Sequence, residues 1–212
     1  MNFINDLRIK NKLVLMLILP MAGLLFFSIY GILDKHGQQR EMSNLQNLSG
    51  LAVKMSSLVH EIQKERGITA LFLGSKQARF ASQLSEQSAE TDKRMQDLQM
   101  FLKGFARDKF EAEFKKSIDN ALRNLESIKN KRDAASAMSI SAAEAFEYYT
   151  NTISSFLDVV GSISKSSNNA ELANLTSAYV NLLQAKERAG RERGILSNTF
   201  ANDKFEPGMF HK

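Results

Sequence analysis

The chain predicts an all-α fold, an up-and-down helical bundle of long antiparallel helices preceded by one transmembrane helix. Three observations carry that expectation. Pro20 and Pro207 are the only prolines in 212 residues, so no helix between them is broken in that way. Apolar side chains return in alternating steps of three and four along several stretches, the spacing that holds them on one helical face. Leucine, serine, alanine and lysine are the commonest residues, and all but serine are strong helix formers. Cysteine is missing, which removes disulfide frameworks and thiolate metal sites.

Leu13 to Leu33 is uncharged and as a helix would be about 31 Å long, enough to cross a bilayer once. Pro20 and Gly23 inside it are tolerable where neighbouring groups satisfy the freed backbone. Arg8, Lys10 and Lys12 stand before it against a lone Asp6, so residues 1–12 are expected in the cytoplasm, residues 13–33 in the membrane and residues 34–212 outside. A cleaved signal peptide is the competing reading. The apolar run is too long for one, and Ser28-Ile29-Tyr30-Gly31-Ile32-Leu33 offers no small-x-small cleavage site.

Five helices are expected after the anchor. The first runs from about Asp34 to Leu73 and stops at Gly74, ahead of Ser75-Lys76-Gln77. Its seam reads Leu45, Leu48, Ala52, Met55, Val59, Ile62, Arg66, Thr69, Leu73. The second spans about Ala78 to Leu102, with Gly104 near its end. The third begins behind Asp108, with Glu111 as capping partner, and reaches about Met138 along Phe114, Ile118, Ala121, Leu125, Ile128, Arg132, Ala135, Ser139. The fourth begins behind Ser141, with Glu144 three residues on, and ends near Ser164. Ser166-Ser167-Asn168-Asn169 is a loop. The fifth runs from Ala170 to about Ala201 along Leu172, Leu175, Tyr179, Leu182, Lys186, Ala189, Arg193, Leu196, Phe200.

An arginine stands at a core phase in three of these seams. Two of them belong to near copies, Lys64-Glu65-Arg66-Gly67-Ile68 and Arg191-Glu192-Arg193-Gly194-Ile195. Short connections make successive helices antiparallel, so the first, third and fifth run the same way. Arg66, Arg132 and Arg193 then stand at one height, facing inward. A guanidinium buried alone costs several kcal/mol, so each needs a counter-charge. Two readings compete for it. Glu65, Asp133, Glu187 and Glu192 could make structural ion pairs, helped by the helix dipole. Alternatively a bound anion relieves the mutual repulsion of the three, about 3 kcal/mol per pair at about 6 Å and an effective dielectric near 20. The anion reading is favoured here, because Glu65, Asp133 and Glu192 point about 100° away from their adjacent arginines. Lys186 in the fifth seam is a possible helper.

No catalytic constellation accompanies these residues. His36, His60 and His211 are scattered, and no HExxH, P-loop, dinucleotide loop or Gly-x-Ser-x-Gly occurs. Tyr148-Tyr149-Thr150 reads as core and interface packing. The net charge of +5 is spread among interleaved acids and bases, unlike a nucleic-acid stripe. Neither an enzyme nor a cofactor, a metal or a nucleic-acid partner is expected.

Glu61-Ile62-Gln63-Lys64-Glu65-Arg66-Gly67 through Phe72-Leu73-Gly74-Ser75 resembles the opening helix of the nitrate- and nitrite-sensing (NIT) domain family. Lys131-Arg132-Asp133 and Tyr148-Tyr149-Thr150 resemble its middle. Lys186-Glu187-Arg188-Ala189-Gly190-Arg191-Glu192-Arg193-Gly194, followed by Phe200-Ala201, resembles its signature helix, and the likeness covers roughly residues 45–210. The resemblance implies an extracytoplasmic bundle that binds nitrate or nitrite through arginines, by motif position Arg66, Arg132 and Arg193. It also implies a place between two membrane helices and outputs in signal transduction such as chemotaxis. The sequence ends at Lys212 with neither a second span nor an output module. The expectation is therefore the C-terminally incomplete input portion of an inner-membrane bacterial receptor, single-pass, with a periplasmic sensor domain, working as a homodimer. Another small anion such as a carboxylate, or an anchored helical scaffold with structural Arg–Glu pairs, is the alternative.

Overall fold

The structure, a computed structural model, describes residues 8–75, 80–165 and 170–202. Its elements are α1 (Ile9–Gly74), α2 (Ala81–Gly104), a short 3-10 turn (Arg107–Lys109), α3 (Ala112–Glu126), α4 (Ile128–Ser136), α5 (Ala142–Lys165) and α6 (Ala170–Asn202). No strand occurs among the described residues. The all-α expectation is met. The expected start of the second helix at Ala78 and the loop Ser166–Asn169 lie outside the described residues.

The chain divides into Met1–Gln46 and Asn47–Lys212. In the first part, Lys12–Leu33 is helical and apolar (mean hydropathy 2.4), and none of its described side chains is buried. By length and composition it suffices for one membrane crossing. Pro20 lies within the helix without ending it.

In the second part, residue pairings fix the directions. Glu61 of α1 meets Gln87 of α2, while Gly50 lies under Phe101, so α1 and α2 run antiparallel. Gly161 of α5 meets Val180 of α6, and Phe146 meets Gly194, which makes α5 and α6 antiparallel too. His60, Gln63 and Arg66 meet Lys186, Glu187 and Gly190 in the same order, so α1 and α6 are parallel. Leu48, Leu51, Met55, Leu58 and Ile62 of α1 pack with Leu98, Ile118, Leu125, Ile153, Phe156 and Val160 in one core. Each such side chain contributes about 1.5–3 kcal/mol on burial. Phe72, Leu73, Ala135 and Ala145 form a second cluster beside Phe80 and Leu84.

The expected α1 seam is the buried one from Leu48 to Leu73. Three expectations need correction. The third helix is two, α3 and α4, parted at Ser127. Its seam keeps phase across the joint, with Ile128 and Ala135 still buried, so periodicity could not reveal the break. Its start is also different. Asp108 lies in the 3-10 turn and α3 follows Glu111, with no side-chain cap on either element. A row of ring contacts through Phe101, Phe105, Phe110 and Phe114, stacked at Phe105–Phe110 and tilted at either end, pins this connection instead of a polar cap. By contrast, the Ser141 cap is present. Ser141 Oγ accepts from the Glu144 amide at 3.1 Å, and Glu144 accepts from the Ser141 amide at 2.9 Å.

The third correction concerns α6. Its inward face is Thr176, Val180, Leu183, Glu187, Gly190 and Gly194, not the stripe from Leu175 to Phe200. Leu182 is 66% exposed and Phe200 78%. The side chain of Leu172 lies outside the described residues. Small residues explain the choice of face, because they let neighbours come close. A Cβ on Gly190 would lie 3.3 Å from Nη2 of Arg66, and one on Gly194 would lie 2.7 Å from the Phe146 ring.

Candidate functional site

Glu65 and Arg66 are sequence neighbours, so their side chains leave α1 about 100° apart. Both are buried, and each finds an opposite charge on a different helix. Arg66 turns to α6. Its Nη1 donates to Glu187 Oε1 at 2.6 Å and its Nη2 to Oε2 at 3.2 Å, a two-pronged pair in which both side chains are only 3% exposed. Nη1 also donates to Thr150 Oγ1 at 2.8 Å, and the guanidinium lies 4.8 Å from the centre of the Phe146 ring. Glu187 gathers two more donors, Gln63 Nε2 at 2.8 Å and Arg191 Nε at 2.9 Å. Burial pushes the Glu187 carboxyl up, but the hydrogen bonds from Arg66 and Arg191 outweigh it and hold the group below the usual carboxylate range.

Glu65 turns the other way. Arg132 of α4 donates Nε to Oε1 at 2.7 Å and Nη2 to Oε2 at 2.9 Å. Tyr149 of α5 donates its hydroxyl to Oε1 at 2.8 Å. Arg132 also reaches Asp92 of α2 at 2.7 Å and the Ser88 carbonyl at 3.2 Å. Burial works against the Arg132 charge, yet Glu65 and Asp92 together raise its pKa above the ordinary value. Burial likewise pushes Tyr148 up to about 12 and raises Tyr149 further, so both hydroxyls stay protonated donors.

The four residues singled out in the sequence therefore have different situations. Arg66 is buried, Arg132 half-buried, and Arg193 and Lys186 exposed. Height was read correctly for Arg66 and Arg132, which serve adjacent α1 positions. Inward convergence of all three arginines is not what forms, because α6 turns Glu187 inward and Arg193 outward. Lys186 Nζ lies 3.0 Å from His60 Nδ1. Burial and that ammonium lower the His60 pKa, leaving a neutral ring to accept the bond.

Glu65, Glu187, Tyr149, Thr150, Phe146, Gln63 and Arg191 were missed as site residues. One signal existed. The triplet Lys-Glu-Arg occurs at 64–66 and again at 186–188, and the middle glutamate is buried in both. The copy at Arg191–Arg193 resembles the first more fully but presents Glu192 and Arg193 to solvent. Tyr148-Tyr149-Thr150 is likewise more than packing, since two of its hydroxyls hold the buried charges. Among the described residues no cluster of His, Asp or Glu could hold a metal ion. The arrangement presents a buried guanidinium fork that engages one planar oxyanion, the Glu187 carboxylate.

A profile of the family described as nitrate and nitrite sensing matches residues 57–212. The nitrate regulatory protein of Klebsiella oxytoca is 27% identical over 168 residues, which is 79% of this chain and 42% of that protein. The solved NasR transcription antiterminator superposes with a TM-score of 0.74 at 26% identity, over 83% of this chain and 49% of that one. The chain thus spans less than half the length of either relative. Neither relative's name mentions a membrane or chemotaxis.

Proposed function

The chain belongs to the nitrate- and nitrite-sensing family, and from that premise we propose that it is the input part of a membrane-anchored bacterial receptor taking nitrate or nitrite at Arg66. In this reading residues 13–33 sit in the inner membrane and residues 34–212 lie in the periplasm. The receptor works as a homodimer and feeds chemotaxis or a related signalling pathway. The exposed apolar helix Lys12–Leu33 supports the anchor. Arg193 and Lys186 are exposed cations beside the Arg66 level and would draw an anion in. Arg132 contributes by holding Glu65 away from Arg66, rather than by touching the ligand itself.

One observation carries the ligand class. The buried Arg66 fork is already matched to a planar oxyanion, the Glu187 carboxylate, and nitrate presents the same kind of oxygen edge. An anion shifts the helices only through unequal affinity for two arrangements, and an exchange at Arg66 between α1 and α6 supplies that inequality. Calorimetry and thermal melting of the full chain in nanodiscs test it, with millimolar nitrate, nitrite, acetate and sulfate. Heat and a raised melting temperature with nitrate or nitrite, lost in Arg66→Ala, are expected. Silence with both rejects the reading, and a response to acetate alone makes it a carboxylate sensor. The scaffold alternative has its own support, since Arg66 and Arg132 each have complete protein counter-charges. It requires that no anion moves the melting temperature and that Arg66→Ala merely destabilises.

A further inference from the structure

We propose that Glu187 is a built-in competitor for the ligand, a tethered carboxylate that occupies the Arg66 fork and sets both the affinity and the charge of the anion accepted there. The proposal rests on the anion-binding reading above. An anion that uses Nη1 and Nη2 of Arg66 together must displace Glu187, because those two nitrogens carry its two oxygens at 2.6 and 3.2 Å.

The displaced carboxylate has somewhere to go. Arg191 lies one helical turn along α6, already donates to Glu187 at 2.9 Å, and is 40% exposed, so it can follow the carboxylate toward solvent. After the exchange every charge is still paired, the anion with Arg66 and Glu187 with Arg191. That balance removes the main cost of breaking a buried ion pair, an orphaned charge. Gly190 contributes on the same side. With a Cβ position only 3.3 Å from Nη2, its bare backbone leaves room for the guanidinium.

Charge counting gives selectivity. Arg66, Arg191 and Glu187 together carry one net positive charge, so a monovalent oxyanion neutralises the cluster and a divalent one overshoots it. Neutral glutamine at 187 would leave two positive charges and a weaker occupant of the fork.

The test compares the full chain in nanodiscs with Glu187→Gln and Glu187→Asp, titrated calorimetrically with sodium nitrate and sodium sulfate. Glu187→Gln is expected to bind nitrate at least about tenfold more tightly than the unaltered chain and to begin binding sulfate. Glu187→Asp, which keeps the charge, should still refuse sulfate. Equal or weaker nitrate binding by Glu187→Gln overturns the competitor while leaving the anion sensor standing. No binding of either anion by any of the three removes the sensor reading and this proposal with it. Should Glu187→Gln fail to fold, Arg191→Ala decides: it loses the landing site, so nitrate binding should weaken about tenfold, and unchanged binding refutes the exchange.

Discussion

Glu65 receives Arg132 on both carboxylate oxygens, from Nε at 2.7 Å and Nη2 at 2.9 Å, while fully buried near the C-terminal end of α1. One carboxylate thereby ties α1 to α4 and, through the Tyr149 hydroxyl, to α5. Removing it as Glu65→Ala takes the acceptor from the Tyr149 hydroxyl and leaves Arg132 with Asp92 and the Ser88 carbonyl alone. A loss of about 3–5 kcal/mol in chemical denaturation is expected. Arg132→Ala should not add its full cost on top, and a coupling of about 0.5–3 kcal/mol should appear in the double-mutant cycle. Simple additivity would show that the two are not energetically paired.

Gly194→Ala places a methyl 2.7 Å from the Phe146 ring, which must shift. A cost of about 1–3 kcal/mol follows from overpacking, and the ring also stacks on Arg66. Phe146→Leu in the same chain should recover part of the loss. Thermal melting of the single and double variants measures both, and an unaltered melting temperature in Gly194→Ala would contradict the close approach of α5 and α6.

The Ser141–Glu144 cap starts α5, the helix that delivers Phe146, Tyr149 and Thr150. Ser141→Ala is expected to cost about 1 kcal/mol, the usual value of an N-cap. Circular dichroism melts will show it, and Ser141→Asp should be close to neutral because it keeps an acceptor for the Glu144 amide.

Acid should weaken the bundle in a defined window. Burial raises the carboxyls of Glu187 and Glu61, but hydrogen bonds from Arg66 and Arg191, and from Lys64 and Gln87, bring both below the ordinary 4.5. Folded-state values under the unfolded one mean that the unfolded chain binds more protons as pH falls through this range. The contribution is therefore complete above about 4.5 and disappears as pH drops through the folded-state values. Melting temperature against pH from 7 to 3 is expected to fall more steeply for the unaltered chain than for Glu187→Gln. Parallel curves would mean that Glu187 is not charge-stabilised in the fold.

Much of this architecture was legible in the residues because apolar spacing reports helix faces directly. The seam from Leu48 through Thr69 and the cap at Ser141 needed nothing else. Ser127 was invisible, since a one-residue joint without proline or glycine leaves the phase intact. The site was legible by half. Arg66 stood out as a cation among core positions, and Arg132 with it. The fifth helix misled because its most apolar stripe was taken for its buried one. Packing there is decided by Gly190 and Gly194, whose missing side chains let α1 and α5 approach. Glu187 then enters as the partner that a buried guanidinium demands. A hydrophobicity count weights glycine and glutamate against burial, so it turns this helix the wrong way round.

The face that α6 shows to water has a practical corollary for anyone reshaping the protein. Along this one helix the usual ranking of fragile positions inverts: Leu182, Leu196 and Phe200 are exposed and their replacement is expected to cost this chain little stability, while an added methyl would meet the Phe146 ring at 194 and crowd the Arg66 guanidinium at 190. Engineered solubility should be sought in the leucines, and the glycines left untouched.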